Sequence, residues 1–266
     1  MLIDVHCHLD HKLYEKDLKE VIERAKKAGV GVIVTNGVEF NTNELSLELA
    51  GKYSIVQPAL GLYPEDALDR ELEEENFELG EKRGIKEIIH QIEKNTEKVI
   101  AIGEVGLDLF NGKDINSQKE SLGELIRLTI KLNKPIILHS RKAEKQLLDF
   151  LKEFNIKADK VILHCFSGNS KLIKQAVDEG YNFSVPTNLV RSDSFKNLVN
   201  LVPLNKLFTE TDGPYLSPYK NEDKTFNRNE SSYIVESIKE IAKIKNLSEK
   251  EVEKQIEENF DRVFFK

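Results

Sequence analysis

Short runs of aliphatic and β-branched residues alternate with longer polar stretches of helical period along the whole chain. Such runs, apolar throughout rather than alternating, suit strands buried on both faces of a parallel sheet. They predict strands over 2–6, 31–35, 55–60, 99–103, 135–139, 161–164, 181–185 and 207–211. Amphipathic stretches follow each. Over 17–28, Leu18, Val21, Ile22, Ala25 and Ala28 share a face and Gly29 ends the helix; a second clear case covers 117–132. Eight βα units in about 250 residues are the size of a (β/α)8 TIM barrel. An open doubly wound sheet is the other arrangement, but no glycine-rich phosphate fingerprint follows the first strand. No linker, repeat or low-complexity tract divides the chain, so residues 1–266 read as one domain.

Two segments stand outside the βα alternation. Residues 65–83, crowded with Glu71, Glu73, Glu74 and Glu75, are expected to form a solvated helical insertion. From Ser248 onward the pattern is that of a capped helix, with Glu251 as capping-box partner. Phe260, Val263, Phe264 and Phe265 are then expected to pack the chain end onto the barrel.

Composition narrows the class. With 39% hydrophobic and 32% charged residues of mixed sign, the chain can build a core and is not a disordered segment. Its 39 basic against 46 acidic side chains leave a net charge of −7, opposite in sign to a protein that holds nucleic acid on a broad basic face. A polyanion would need local positive charge or metal. No window approaches the run of about 20 apolar residues that a membrane helix needs. The start, Met1-Leu2-Ile3-Asp4-Val5-His6, lacks the basic region of a signal peptide, so a cytoplasmic location is expected. Two cysteines make no disulfide framework.

The unusual polar residues collect where strands are expected to end. His6 and His8 close the first, Glu104 the fourth, His139 the fifth, His164 the sixth and Asp212 the eighth, taking four of the six histidines. In barrel enzymes catalytic groups gather at that end. His6 and His8 are two apart on a strand, so both imidazoles face the same way and can grip one cation. A hydrogen-bonded histidine pair is the plainer alternative, and the company of the other polar residues decides against it. Ile100, Ile102 and Glu104 are expected to share a face, which carries the carboxylate into the barrel mouth, where ionisation needs a compensating cation. His139 and His164 on adjacent strands suit a second ion. Imidazole with carboxylate is the ligand mixture of hydrolytic Zn²⁺, Mn²⁺ or similar ions. Asp212 beside His6 and His8 can bind weakly and accept a water's proton, with Glu210 buttressing it from below. Asp108 is either an outer partner of the site or the start of a turn. Arg141 is a phosphate or carboxylate clamp, or a helix-surface ion pair. Cys7 and Cys165 read as packing residues, and His11 and His90 as surface residues.

Taken together, Asp4-Val5-His6-Cys7-His8-Leu9-Asp10, Gly103-Glu104-Val105-Gly106-Leu107-Asp108, Leu138-His139-Ser140-Arg141, His164-Cys165-Phe166-Ser167-Gly168 and Glu210-Thr211-Asp212-Gly213-Pro214 resemble the TatD family of metal-dependent hydrolases, within the amidohydrolase-like barrels. Asn227-Arg228-Asn229-Glu230 resembles the family's late motif. The resemblance implies a TIM barrel with two divalent ions (Zn, Mn or Mg) acting as a deoxyribonuclease. It makes His6, His8 and Asp212 ligands of one ion, His139 and His164 ligands of the other, and Glu104 the bridge. The chain departs from the family at Gly61-Leu62-Tyr63-Pro64-Glu65, where two histidines are expected; Tyr63 can still donate a hydrogen bond to substrate. The reading is a phosphodiester hydrolase in which the ions lower the pKa of a water and Asp212 accepts its proton. DNA or another phosphodiester is the expected substrate, and a monomer the default. Lys142, Arg191, Lys220, Lys224 and Arg228 are placed to guide the backbone. A different ester or amide substrate at the same site is the nearest alternative, and a non-catalytic metal-binding module a more distant one.

Overall fold

The computed structural model describes residues 1–64, 67, 83–220 and 227–265. Eight parallel strands pair in sequence order: β1 (Leu2–Cys7), β2 (Val30–Asn36), β3 (Val56–Leu60), β4 (Ala101–Asp108), β5 (Ile136–Arg141), β6 (Val161–Leu163), β7 (Asn182–Pro186) and β8 (Leu207–Glu210). The sheet curls until β8 meets β1, which makes a TIM barrel. That last seam has one bridge, between Cys7 and Gly213. Further bonds fasten it: the Asp212 amide donates to His6 O (2.9 Å), the His8 amide to Gly213 O (2.8 Å) and the Thr209 hydroxyl to Ile3 O (2.6 Å).

Every residue of β1, β4 and β8 is buried, as expected of strands covered on both faces. The cover is α1 (Leu18–Lys27), α2 (Phe40–Lys52), α3 (Ile85–Lys94), α4 (Ile115–Leu132), α5 (Glu144–Leu151), α6 (Ser170–Asp178), α7 (Asp193–Leu201), α8 (Ile234–Lys245) and α9 (Glu249–Phe260). Helix α1 buries Val21, Ile22 and Ala25, and Gly29 follows it with a positive φ of 92°. Ala28 caps that helix but is exposed, so the buried face is one turn shorter than its pattern predicts. Ser248 and Glu251 form the expected capping box on α9. Phe260, Val263 and Phe264 pack as predicted, but Phe265 stays 69% exposed, its ring set edge-to-face with that of Phe260. Most of the acidic stretch 65–83 lies outside the described residues. Among the described residues no helix is long and apolar enough to cross a membrane.

Two strands break step beside the barrel mouth. On β4, Ile102 pairs with Ile136 and Val105 with Leu138, three steps against two. On β1, Asp4 pairs with Ile33 and Cys7 with Thr35, again three against two. Each is a register shift of one residue, a bulge or a comparable irregularity, and such a break in step can re-aim a side chain. Simple alternation therefore does not run from Ile102 to Glu104, and the shared face expected for them is interrupted. Glu104 lies within the shifted stretch, between Ile102 and Val105.

Candidate metal centre

His6, His8, Glu104, His139, His164 and Asp212, from five different strands or the loops that follow them, meet at the C-terminal end of the barrel. Among the described residues, three groups of ligand atoms lie close enough to hold an ion: His6, His8 and Glu104; Glu104, His139 and His164; and His6, His164 and Asp212. Glu104 belongs to two of them, with one oxygen for each. Its Oε2 lies 3.4 Å from both His6 Nε2 and His8 Nε2. Its Oε1 lies 2.8 Å from His139 Nδ1 and 3.7 Å from His164 Nε2. Asp212 Oδ1 stands 3.5 Å from His6 Nε2, 3.6 Å from His8 Nε2 and 3.9 Å from His164 Nε2. Gly61 packs against the Glu104 backbone so closely that a Cβ there would lie 2.3 Å from Glu104 O.

Outer partners decide which ring nitrogen faces inward. His8 Nδ1 is 2.9 Å from Asn36 O, which can only accept, so that nitrogen carries the proton. His164 Nδ1 lies 2.8 Å from Glu210 Oε2, and Glu210 is itself held by Ser184 and the Cys165 amide. His139 Nε2 lies 2.9 Å from Asp108 Oδ2, which also accepts from the Tyr63 hydroxyl at 2.8 Å. In the neutral tautomers, His8 Nε2, His139 Nδ1 and His164 Nε2 then turn bare lone pairs toward carboxylate oxygens. Such atoms repel unless positive charge lies between them. This donor set fits a divalent ion: two atoms each about 2.1 Å from a tetrahedral ion stand about 3.4 Å apart, the spacing seen around His6, His8 and Glu104.

The titration of the cluster reflects the same demand for cations. Burial works against charge on His8, but the Asp212 and Glu104 carboxylates, 3.6 and 3.4 Å from its Nε2, outweigh it and hold the ring up to about 10. His139, also opposed by burial, is raised to about 9 by Asp108 and Glu104. His6 goes the other way, lowered by burial and by the neighbouring His164, whose ring stacks on it with centroids 3.7 Å apart. Glu104 and Asp212 are held below the usual carboxylate range despite burial, because histidines surround them. Of the six side chains Asp212 is the most open, 17% exposed against 0% for His6 and 4% for Glu104.

The remaining expectations divide. Asp108 does both things considered for it. Its Oδ2 holds His139, and its Oδ1 caps a turn through the amides of Phe110 and Asn111. Tyr63 reaches the cluster through Asp108 and His139, with its hydroxyl 3.0 Å from His139 Nε2. Arg141 ends β5 with its guanidinium 3.9 Å above the exposed ring of Phe110. Arg228 grips Asp17 with both terminal nitrogens (2.6 and 2.7 Å), donates to Leu13 O and lies over Tyr14. This guanidinium ties the loop after β8 to the start of α1. Arg191 donates to Ser217 O. Lys224 and Glu65 lie outside the described residues. Glu210 buttresses His164 rather than Asp212. His90 is exposed, but His11 is half-buried, capping a short turn and packing edge-on against Tyr215. Cys7 and Cys165 are not in a disulfide. Sequence reasoning gave no role to Asp4, which opens the first motif, and did not single out Asn36, because a buried polar residue within an apolar strand gives no sign of which neighbour it holds.

Comparison with known proteins agrees with this architecture. The family model described as TatD related DNase matches residues 3–265. An uncharacterized metal-dependent hydrolase of Methanocaldococcus jannaschii is 35% identical over 262 residues, 98% of this chain and 96% of the relative. Deoxyribonuclease TATDN3 of Homo sapiens is 34% identical over 269 residues, 99% of this chain and 94% of that protein. The crystal structure of YjjV, a TatD homolog from Escherichia coli, superposes with a TM-score of 0.85 at 27% identity, covering 99% of this chain and 97% of the other. Matched from end to end by its family model and by relatives about a third identical, the chain belongs to the TatD family of metal-dependent hydrolases.

Proposed function

We propose that the barrel formed by residues 1–266 hydrolyses phosphodiester bonds, with DNA as the substrate, using two divalent ions held at the mouth. The observation that carries this reading is Glu104, which sends one oxygen to each of two histidine groups. His6, His8 and Asp212 are the proposed ligands on one side, His139 and His164 on the other. Bound there, the ions supply positive charge that eases deprotonation of a water and offsets charge developing on the phosphate. Four added positive charges also give a chain of net −7 a local attraction for a polyanion.

The protein's own groups do the rest. Asp212 is ionised at neutral pH and is the ligand-type carboxylate most open to solvent, so it is the group placed to take a proton from water and release it. Asp108, Glu210 and the Asn36 carbonyl keep three histidines turned inward. Tyr63 is buried beside His139 with its hydroxyl donating to Asp108, whereas Arg141, two residues beyond His139 on β5, is exposed and is the group placed to meet substrate. Asp212→Asn is expected to lower turnover by about two to four orders of magnitude, the contribution of a positioned general base, with metal content little changed. The test is elemental analysis after metal reloading, together with turnover on DNA, RNA, bis(p-nitrophenyl) phosphate and a simple lactone. Two equivalents of metal with cleavage of DNA support the reading. One equivalent, or turnover of the lactone alone, overturns it.

A further inference from the structure

The backbone just before Asp212 is held at every polar atom, and the residues that hold it lie far away in sequence. The Thr211 amide donates to Asp4 Oδ1 (2.9 Å), and the Thr211 hydroxyl donates to Asp4 Oδ2 (2.7 Å). The same hydroxyl accepts from the Gly213 amide (3.2 Å). The Thr211 carbonyl accepts from Asn229 Nδ2 (2.7 Å), whose amide group also donates to Thr187 Oγ1 (2.8 Å). Asp4 collects two more donors, the Ser231 hydroxyl (2.7 Å) and the amide of His6 (3.3 Å). Asp4, Thr211, Asn229 and Ser231 are all essentially buried.

This web crosses the β1–β8 seam, where the ladder itself has a single bridge. It also brackets a non-glycine residue in the left-handed region, since Asp212 has φ of 54°. Such a conformation persists where surrounding bonds over-determine it. Here the Asp212 amide is held by His6 O, and its carbonyl by the Tyr215 amide at 2.8 Å. One carboxylate, Asp4, thus touches the amide of one candidate ligand and the residue preceding another.

We propose that Asp4, Thr211 and Asn229 are positioning residues that aim the Asp212 carboxylate at the His6–His8 side of the centre. They act through Asp212 and touch neither ion nor substrate. The proposal rests on the reading that Asp212 serves the metal centre.

The test is a double-mutant cycle on the full chain, with Mn²⁺ affinity by calorimetry and kcat on bis(p-nitrophenyl) phosphate as separate readouts. Thr211→Val keeps the shape and removes the hydroxyl; it should weaken one Mn²⁺ affinity and lower kcat, each by about tenfold, with KM unchanged. Thr211→Ser should restore both. In an Asp212→Ala background, Thr211→Val should cost nothing further, because its effect is routed through the missing carboxylate. An equal loss in both backgrounds, or wild-type values for Thr211→Val, overturns the proposal. Should Thr211→Val not fold, Ser231→Ala removes one donor from Asp4 and takes its place in the same cycle. If Asp212→Ala leaves kcat unchanged, the catalytic reading of Asp212 fails, and the Mn²⁺ cycle alone still decides whether the web positions it.

Discussion

Replacing Asp108 by Asn should invert the tautomer of His139. Asp108 Oδ1 accepts the amides of Phe110 and Asn111 at 2.7 and 2.8 Å, so an asparagine must keep its carbonyl oxygen there. Its NH₂ then falls where Oδ2 was, 2.9 Å from His139 Nε2. An amide NH₂ only donates, and the Tyr63 hydroxyl, which loses its carboxylate acceptor and lies 3.0 Å from Nε2, can donate there as well, so Nε2 is expected to become an acceptor and the ring proton to move to Nδ1. That nitrogen lies 2.8 Å from Glu104 Oε1 and would close a hydrogen bond onto it, using up the lone pair that faces the centre. Loss of an outer partner alone weakens metal binding about 10–100-fold. The inverted tautomer puts this variant at the upper end, about 2.7 kcal/mol for a hundredfold change. Calorimetric titration of chelator-treated protein with Mn²⁺ should show one affinity falling by about that factor and the other unchanged. Nitrogen-15 shifts of the histidines read the tautomer directly. Two intact affinities, or a ring still protonated on Nε2, would refute the reasoning.

Three further outcomes are expected. Glu104→Gln leaves one carbonyl oxygen to serve two groups of histidines, so elemental analysis should find at least one equivalent of metal lost; two retained equivalents would show that Glu104 does not join the sites. Without metal, His8 and His139 titrate near 10 and 9, above the ordinary 6.5, so their contribution to stability is complete below about 6.5 and lost as pH rises through 9 to 10. Metal must displace those protons, so binding at pH 7 should release protons, read from calorimetry in buffers of different ionisation enthalpy, and the gain in Tm on loading should grow with pH. Because those protons compete with metal at every pH below about 9, occupancy and activity should fall together as the medium is made more acidic. At the chain end, Phe260→Ala should cost about 3–5 kcal/mol by urea unfolding, since the ring is fully buried against Phe264, whereas Phe265→Ala should change little.

Most of the fold was legible because parallel strands covered on both faces leave a plain record, a short apolar run followed by helical period. The strand positions at Val161–Leu163 and Leu207–Glu210 fall within a residue of their expected ends. The meeting of six polar residues at one level was legible for a related reason: each directly follows an apolar run or ends it. What lay beyond reach depends on contacts between distant segments. Nothing local marks Asp4 as the partner of Thr211 and Ser231, or Arg228 as the partner of Asp17. Glu104 was reached through an alternation that the strand does not keep.

The register shift on β4 sets the regularity of the sheet against the placing of Glu104. Deleting Gly103 would let Ile102 and Val105 fall into even step with Ile136 and Leu138, and the sheet would gain regularity. It would also shorten the stretch that holds Glu104, and so disturb the placing of its two oxygens beside the two histidine groups. A variant library selected for heat resistance alone could therefore collect the shorter strand and discard the proposed activity. Selection for turnover would keep the longer one, and tolerate a looser ladder at the rim as its condition.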